Sequence, residues 1–356
     1  MSAANKIPAT IVTGFLGSGK TTLLRHILDH AGGRRIAVIV NEFGELGIDG
    51  ELLRGCGIGC ETDEPGGELI ELANGCLCCT VQEEFYPVMR RLIERREQID
   101  HILIETSGLA LPKPLVQAFN WPEIRNACTV DAVITVVDVP AAAAGQFAAH
   151  PQAVDAQRRA DPNLDHESPL HELFEDQLSA ADLVLLSKCD LASASDRAAV
   201  EALVRAEVPP AVKLVACERG QVDLEVLLGL GSAAEEGIAQ RPSHHDHGDD
   251  TAHDHDHDLF DSVVVNLPPT DPARLEEALH ALVQAHTVYR VKGFVAVPGK
   301  PMRLVLHGVG NRFERYYDRR WAAGEMPRTQ LVLIGQGLDA ADMQQALERA
   351  LLAEAA

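Results

Sequence analysis

The stretch Ala9-Thr10-Ile11-Val12-Thr13-Gly14-Phe15-Leu16-Gly17-Ser18-Gly19-Lys20-Thr21-Thr22 decides how the N-terminal part of the chain folds. Ala9–Thr13 is a short β-branched run that reads as a buried strand, and it stops at a glycine. From Gly14 to Thr21 the residues fit the pattern G-x-x-x-x-G-K-[S/T], and an amphipathic segment, Lys20–Ala31, follows. Strand, glycine-rich loop and helix in that order form a phosphate cradle: glycines let the backbone N–H groups converge, and the helix N-terminus adds positive partial charge. Gly14, Gly17, Ser18, Gly19, Lys20, Thr21 and Thr22 are the expected phosphate-binding set. Lys20 is expected to reach the β- and γ-phosphates, and Thr21 to ligate Mg2+.

Working outward, further apolar runs appear at Ile36–Val40, Ile102–Ile104, Ala132–Val137, Leu183–Leu186 and Val212–Val215, with helical segments such as Glu83–Gln98 and Asp196–Ala206 between them. This alternation predicts an α/β domain with a mostly parallel sheet over residues 1–232. Residues 233–259 change character: from Ser243 the chain reads Ser-His-His-Asp-His-Gly-Asp-Asp-Thr-Ala-His-Asp-His-Asp-His-Asp. With no apolar face to bury, this is expected to be a solvated linker. Residues 260–356 then give strands at Ser262–Leu267, Val288–Val297, Arg303–Val309, Arg312–Tyr317 and Gln330–Ile334, a helix after Asp271-Pro272 and a final helix Asp339–Leu352. That predicts a smaller α+β domain.

Three acidic or polar motifs sit at strand ends. Ser187-Lys188-Cys189-Asp190 follows the strand Leu183–Leu186 and has the layout of a guanine-reading element. There Asp190 accepts from guanine N1 and N2, which adenine cannot match, while the Lys188 stem packs on the base. Ser187 stands where asparagine is commoner. Glu105-Thr106-Ser107-Gly108 ends the strand His101–Ile104; Glu105 is expected to hold Mg2+ or orient the attacking water, and Gly108 to approach the nucleotide. Asn41-Glu42-Phe43-Gly44-Glu45 is placed like a loop that senses the γ-phosphate, with Glu42 a further catalytic and Mg2+ candidate.

Gly75-Cys76-Leu77-Cys78-Cys79-Thr80 precedes a helical segment. Thiols near a helix N-terminus ionise more readily, and thiolates select soft or borderline metals, Co2+, Zn2+, Ni2+ or Cu+, over magnesium. Cys76, Cys78 and Cys79 are the expected transition-metal ligands, too few for a closed site and therefore suited to transfer. Cys56 and Cys60, in Gly-Cys-Gly-Ile-Gly-Cys, read equally as a second site or as cover. His244, His245, His247, His253, His255 and His257 are auxiliary, weak ligands.

Composition excludes other classes. A formal net charge of −22 over 356 residues opposes nucleic-acid and anionic-lipid partners. No apolar run approaches the roughly 18 residues of a membrane span. With no secretory leader read at Met1–Lys6, the expected compartment is the cytoplasm, where eight cysteines stay reduced.

Taken together, GFLGSGKT at Gly14–Thr21, NEFGE at Asn41–Glu45, CLCC at Cys76–Cys79, ETSG at Glu105–Gly108 and SKCD at Ser187–Asp190 resemble the CobW family of phosphate-loop GTPases, in the family's order and over nearly the whole chain. His101–Phe119, Arg290–Leu304 and the GCGIGC insert are similar to the family's cobalamin-biosynthesis branch. The resemblance implies a GTP-hydrolysing metallochaperone that uses Mg2+ and supplies Co2+ to a cobaltochelatase complex. A zinc-delivery GTPase and a metal store with structural nucleotide are the alternatives. Oligomeric state stays open, a homodimer included.

Overall fold

The computed structural model describes residues 6–42, 69–73, 85–147, 170–228, 261–321 and 325–353. They fall into two compact units, Lys6–Leu227 and the part from Leu228 to the C-terminus.

In the first unit the elements run β1 (Ile7–Thr13), α1 (Lys20–Asp29), β2 (Ile36–Glu42), β3 (Leu69–Ala73), α2 (Tyr86–Glu94), β4 (His101–Glu105), α3 (Pro112–Ala118), α4 (Pro122–Ala127), β5 (Cys128–Asp138), α5 (Val139–Ala143), α6 (Leu170–Ser179), β6 (Leu183–Ser187), α7 (Ala194–Glu207), β7 (Lys213–Ala216) and α8 (Leu224–Leu227). The seven strands form one sheet in the order β3-β2-β4-β1-β5-β6-β7. Every pairing in it is parallel. Strands β1, β4, β5 and β6 are buried along their described length apart from Pro8, as expected when helices cover both faces.

Two departures from the sequence reading have physical causes. Strand β5 starts at Cys128, four residues earlier than its apolar run, because Asp131 is tolerated in the sheet. It is 7% exposed and accepts from Thr10 Oγ1 at 3.5 Å, and Thr10 also meets His101 Nε2 at 2.9 Å. Strand β3 is an edge strand too short to announce itself beside a Gly- and Cys-rich insert, and pairing with β2 supplies its order.

Parallel register carries the functional consequence. Val12 pairs with Glu105, Thr13 with Thr135, and Asp138 with Ser187. Strand β1 has the later β4 on one side and β5 on the other, which makes it the switch point of the topology. The carboxyl ends of β1, β4, β5 and β6 therefore meet at one edge, where open α/β sheets bind ligands.

The second unit contains β8 (Asp261–Leu267), α9 (Pro272–Ala285), β9 (Val288–Ala296), β10 (Met302–Val309), β11 (Arg312–Arg320), β12 (Thr329–Gly335) and α10 (Ala340–Ala353). Its five strands pair antiparallel in the order β11-β10-β9-β12-β8. Helices α9 and α10 pack together, α9 against β9 and α10 against β8. Asp271 caps α9 by accepting from the backbone of Ala273 and Arg274. Strand β11 runs three residues beyond the predicted Tyr317 because a register shift opposite Arg303/Leu304 turns Asp318 toward Arg303. The two side chains are 3% and 6% exposed, and the guanidinium also lies 3.7 Å from the centroid of the Phe294 ring. Among the described residues no helix is long and apolar enough to cross a membrane.

A buried ion pair is costly to halve. Asp318→Ala is expected to destabilise this unit by about 3–5 kcal/mol, read as an earlier urea transition of the full chain. Arg303→Met/Asp318→Leu should recover most of that loss; equal losses in both variants would count against the uncompensated charge as the cause.

Candidate functional site

Strand β1 delivers the chain into the loop at Gly14, whose φ of +138° no L side chain adopts comfortably and whose Cβ would lie 2.3 Å from the Val136 carbonyl oxygen. Phe15 anchors the loop: it is 1% exposed and packs 5.7 Å from Phe147 and 6.1 Å from Phe174, centroid to centroid. Gly17 and Gly19 also take positive φ, at +75° and +104°. Gly19 is the N-cap of α1, with no side-chain capping bond, so the first N–H groups of α1 are offered to an anion rather than to a cap.

Four loop carbonyls accept from side chains. Lys20 Nζ donates to Gly14 O at 2.9 Å and Phe15 O at 3.2 Å. Lys188 Nζ donates to Gly17 O at 2.7 Å, and Ser187 Oγ to Ser18 O at 2.6 Å. Ser18 N donates within the loop to Phe15 O at 3.1 Å, and the loop amides not engaged in this way are the ones that suit a phosphate. Ser18 Oγ is buried and has no hydrogen-bond partner among the described residues, a hydroxyl that a phosphate oxygen would satisfy.

Next to the loop, Thr21 Oγ1 donates to Glu105 Oε1 at 3.2 Å. Glu105, 4% exposed, ends β4. This hydroxyl and carboxylate form an all-oxygen donor set that fits a hard cation such as Mg2+. Beyond Glu105 the chain turns over the loop. Thr106 N donates to Val12 O at 3.0 Å, and a Cβ on Gly108 would lie 2.6 Å from Leu16 N, so only glycine permits that approach.

On the other side, Lys188 takes φ 58°, one of two described non-glycine residues with positive φ. Its ammonium also meets Asp138 Oδ2 at 2.5 Å. Asp190 lies 3.9 Å from the exposed Arg219 Nε, a contact of little energetic weight. Thr22 is exposed, and its Cγ2 lies 2.9 Å from where a Cβ on Gly220 would sit. It follows Thr21 in α1, next to the turn after β7.

The structure thus gathers Gly14, Gly17, Ser18, Gly19, Lys20, Thr21, Glu105, Gly108, Ser187, Lys188 and Asp190 at one sheet edge. Glu42 ends β2, in register with Ala73, and its side chain is outside the description. Glu45, Cys56, Cys60, Cys76, Cys78, Cys79, His244, His245, His247, His253, His255 and His257 lie outside the described residues. Among the described residues no group of three or more His, Cys, Asp or Glu side chains could hold a metal. The three described cysteines, Cys128, Cys189 and Cys217, are buried. Burial pushes the Cys128 thiol up to about 12 and Cys217 to about 11, and raises Cys189 as well.

Two residues escaped the sequence reading. Asp138 closes an apolar run as Glu105 does, and that parallel was available as a signal. Gln177 gave none. It lies on α6, is 0% exposed, and its Nε2 donates to Gly108 O at 3.1 Å and Ala110 O at 3.2 Å. Thr135 Oγ1 donates to the Gln177 carbonyl at 2.9 Å, which ties the clamp to β5.

Fold and site define a phosphate-loop nucleotide-binding domain joined to a separate antiparallel α+β unit. Residues 8–215 match the family model described as CobW/HypB/UreG, nucleotide-binding domain, and residues 260–351 match the cobalamin synthesis protein cobW C-terminal domain. The chain belongs to this CobW/HypB/UreG family of phosphate-loop GTPases. It is 65% identical over 351 residues to the "Zinc chaperone CobW" of Pseudomonas aeruginosa, covering 99% of this chain and 93% of that protein. It is 52% identical to a protein of the same name from Sinorhizobium sp, covering 98% and 96%. It is 31% identical to the "Zinc chaperone YjiA" of Escherichia coli, covering 93% and 94%.

Replacing Gln177 by Leu leaves two buried carbonyls without their donor, a cost of about 1–3 kcal/mol borne by the segment beyond Glu105. GTP turnover is expected to fall about tenfold, with GDP affinity changed less than twofold; a Kd that moves as far as kcat would contradict the assignment to that segment. The cysteines give a separate test. At pH 8 the raised thiols carry little thiolate, so iodoacetamide should leave Cys128 and Cys217 unmodified in the folded protein and label them in urea, as read by peptide mass. Equal labelling in both states would show that these thiols are accessible.

Proposed function

We propose that this chain is a GTP-hydrolysing metallochaperone whose cargo is zinc. The observation that carries the GTPase half is the outward pinning of the loop carbonyls by Lys20, Ser187 and Lys188, which builds the phosphate and base subsites as one body. GTP enters with its phosphates on the loop amides and Lys20, and its base against the Lys188 stem with Asp190 at the guanine edge. Water attacks the γ-phosphorus and the bridging oxygen leaves with GDP, so GTP and water become GDP and phosphate. Thr21 and Glu105 are the residues that would hold Mg2+, which neutralises phosphate charge when bound. Lys20 supplies a fixed positive charge where negative charge accumulates.

For the cargo, the support is similarity over whole chains. All three relatives above are named zinc chaperones, which moves the metal from the cobalt inferred from the resemblance to zinc. The ligands in this reading are Cys76, Cys78 and Cys79. They follow the end of β3 by a few residues, and β3 pairs with β2, which ends in the Asn41-Glu42 motif. Nucleotide state then sets zinc affinity through that pair of strands. Cobalt, with a cobaltochelatase as recipient, is the competing reading and is favoured by no contact in the described residues.

The test is an anaerobic competition of Zn2+ against Co2+ for the metal-free protein, once with Mg-GTP and once with Mg-GDP. Zinc is expected to win, to bind at least about tenfold more tightly with GTP, and to be lost in Cys76→Ser/Cys78→Ser/Cys79→Ser while GDP still binds. Equal zinc affinity in both nucleotide states would overturn gating, and retention of metal by the triple variant would overturn the ligand assignment.

A further inference from the structure

We propose that Asp138 is a positioning residue for base recognition: it holds the Lys188 ammonium against the phosphate loop and so lays the lysine stem flat as the platform on which the purine stacks. This rests on the guanine-nucleotide reading given above and adds a residue to it.

The geometry is specific to the two oxygens of one carboxylate. Asp138 is the last residue of β5 and pairs in register with Ser187 of β6, so it stands one residue short of Lys188 on the neighbouring strand. Its side chain is 2% exposed. Oδ1 accepts from Ala141 N at 3.1 Å and caps α5, while Oδ2 takes the Lys188 ammonium at 2.5 Å. The same ammonium donates to Gly17 O at 2.7 Å. A buried carboxylate and a loop carbonyl therefore hold the free end of a long, flexible stem whose other end is fixed by the backbone.

Lys188 needs such a fixture. It sits at φ 58° and its side chain is 30% exposed, so its stem is partly covered and the two contacts at Nζ direct its tip. A stem that wanders has to be ordered each time a nucleotide binds, and that cost falls on affinity for the base-bearing ligand. The loop itself has a second fastening, Ser187 Oγ on Ser18 O at 2.6 Å. Loss of Asp138 should thus be felt by the base and much less by the phosphates.

Asn is an efficient helix N-cap, so Asp138→Asn keeps the cap of α5 and removes the charge that holds Lys188. The experiment measures Kd for GDP, ADP and inorganic pyrophosphate on the full chain, for wild type, Asp138→Asn, Lys188→Met and the double variant. Asp138→Asn is expected to bind GDP about tenfold more weakly, the scale of one charge-assisted hydrogen bond, with pyrophosphate affinity within twofold. In the Lys188→Met background the same change should have no further effect on GDP.

A parallel loss for GDP and pyrophosphate, or an undiminished effect of Asp138→Asn in the Lys188→Met background, would overturn the proposal, since the residue would then act on the loop or the fold. A wild type that binds ADP as tightly as GDP would instead overturn the guanine reading. The Asp138 and Lys188 cycle would still be decided, because its ratio can be taken with either nucleotide.

Discussion

A phosphate-binding loop has to keep its amides converging on one point while no ligand is there to reward it. Here the constraint is met from behind. The carbonyls of Gly14, Phe15, Gly17 and Ser18 accept from Lys20, Lys188 and Ser187, so the peptide planes cannot rotate their oxygens into the anion site. Two of the three donors are cations, whose hydrogen bonds are the stronger kind. Lys188 and Ser187 belong to the base-reading motif. Phosphate and base subsites are consequently a single preorganised unit, and the ordering cost is met by folding rather than by binding.

That unit exists because of register. Parallel pairing brings Glu105 beside Val12 and Ser187 beside Asp138, which places one functional side chain at the end of each central strand. The Asp138 carboxylate buried there is answered by the Lys188 ammonium. The second unit uses the same solution for a structural purpose, with Asp318 on Arg303 and the guanidinium on Phe294. In both cases a carboxylate fixes a long cationic side chain whose stem lies along apolar or loop surface.

Much of this was legible in the chain itself. The glycines of the loop, Lys20, Thr21, Glu105 and the α/β rhythm follow from spacing, because a strand–loop–helix phosphate cradle admits few residue types at those positions. Ser187 was legible as a departure from asparagine but not as a tether, since its partner Ser18 is 169 positions away. Gln177 was invisible for a related reason: its bonds run to two backbone carbonyls, and backbone acceptors leave no trace in sequence. Strand β5 was read short because Asp131 interrupts its apolar run, and polar contact within the sheet, Thr10 of β1 included, makes that acid tolerable there.

The distribution of rigidity bears on how nucleotide state could reach a metal. Around β1, β5 and β6 the loop, the base motif, Asp138 and Gln177 are cross-linked by hydrogen bonds, several of them to charged groups. A γ-phosphate that comes and goes cannot bias a structure with only one arrangement; it needs an element with two. On the opposite side of β4 lie β2 and the edge strand β3, joined to each other through Asn41–Glu42 and Leu72–Ala73. Strand β2 ends in the first two residues of Asn41-Glu42-Phe43-Gly44-Glu45, and Cys76-Leu77-Cys78-Cys79 follows β3 in the chain. Gated delivery of the kind proposed therefore requires that hydrolysis be registered on the β2–β3 side, with the β1–β5–β6 side as the fixed frame against which it moves.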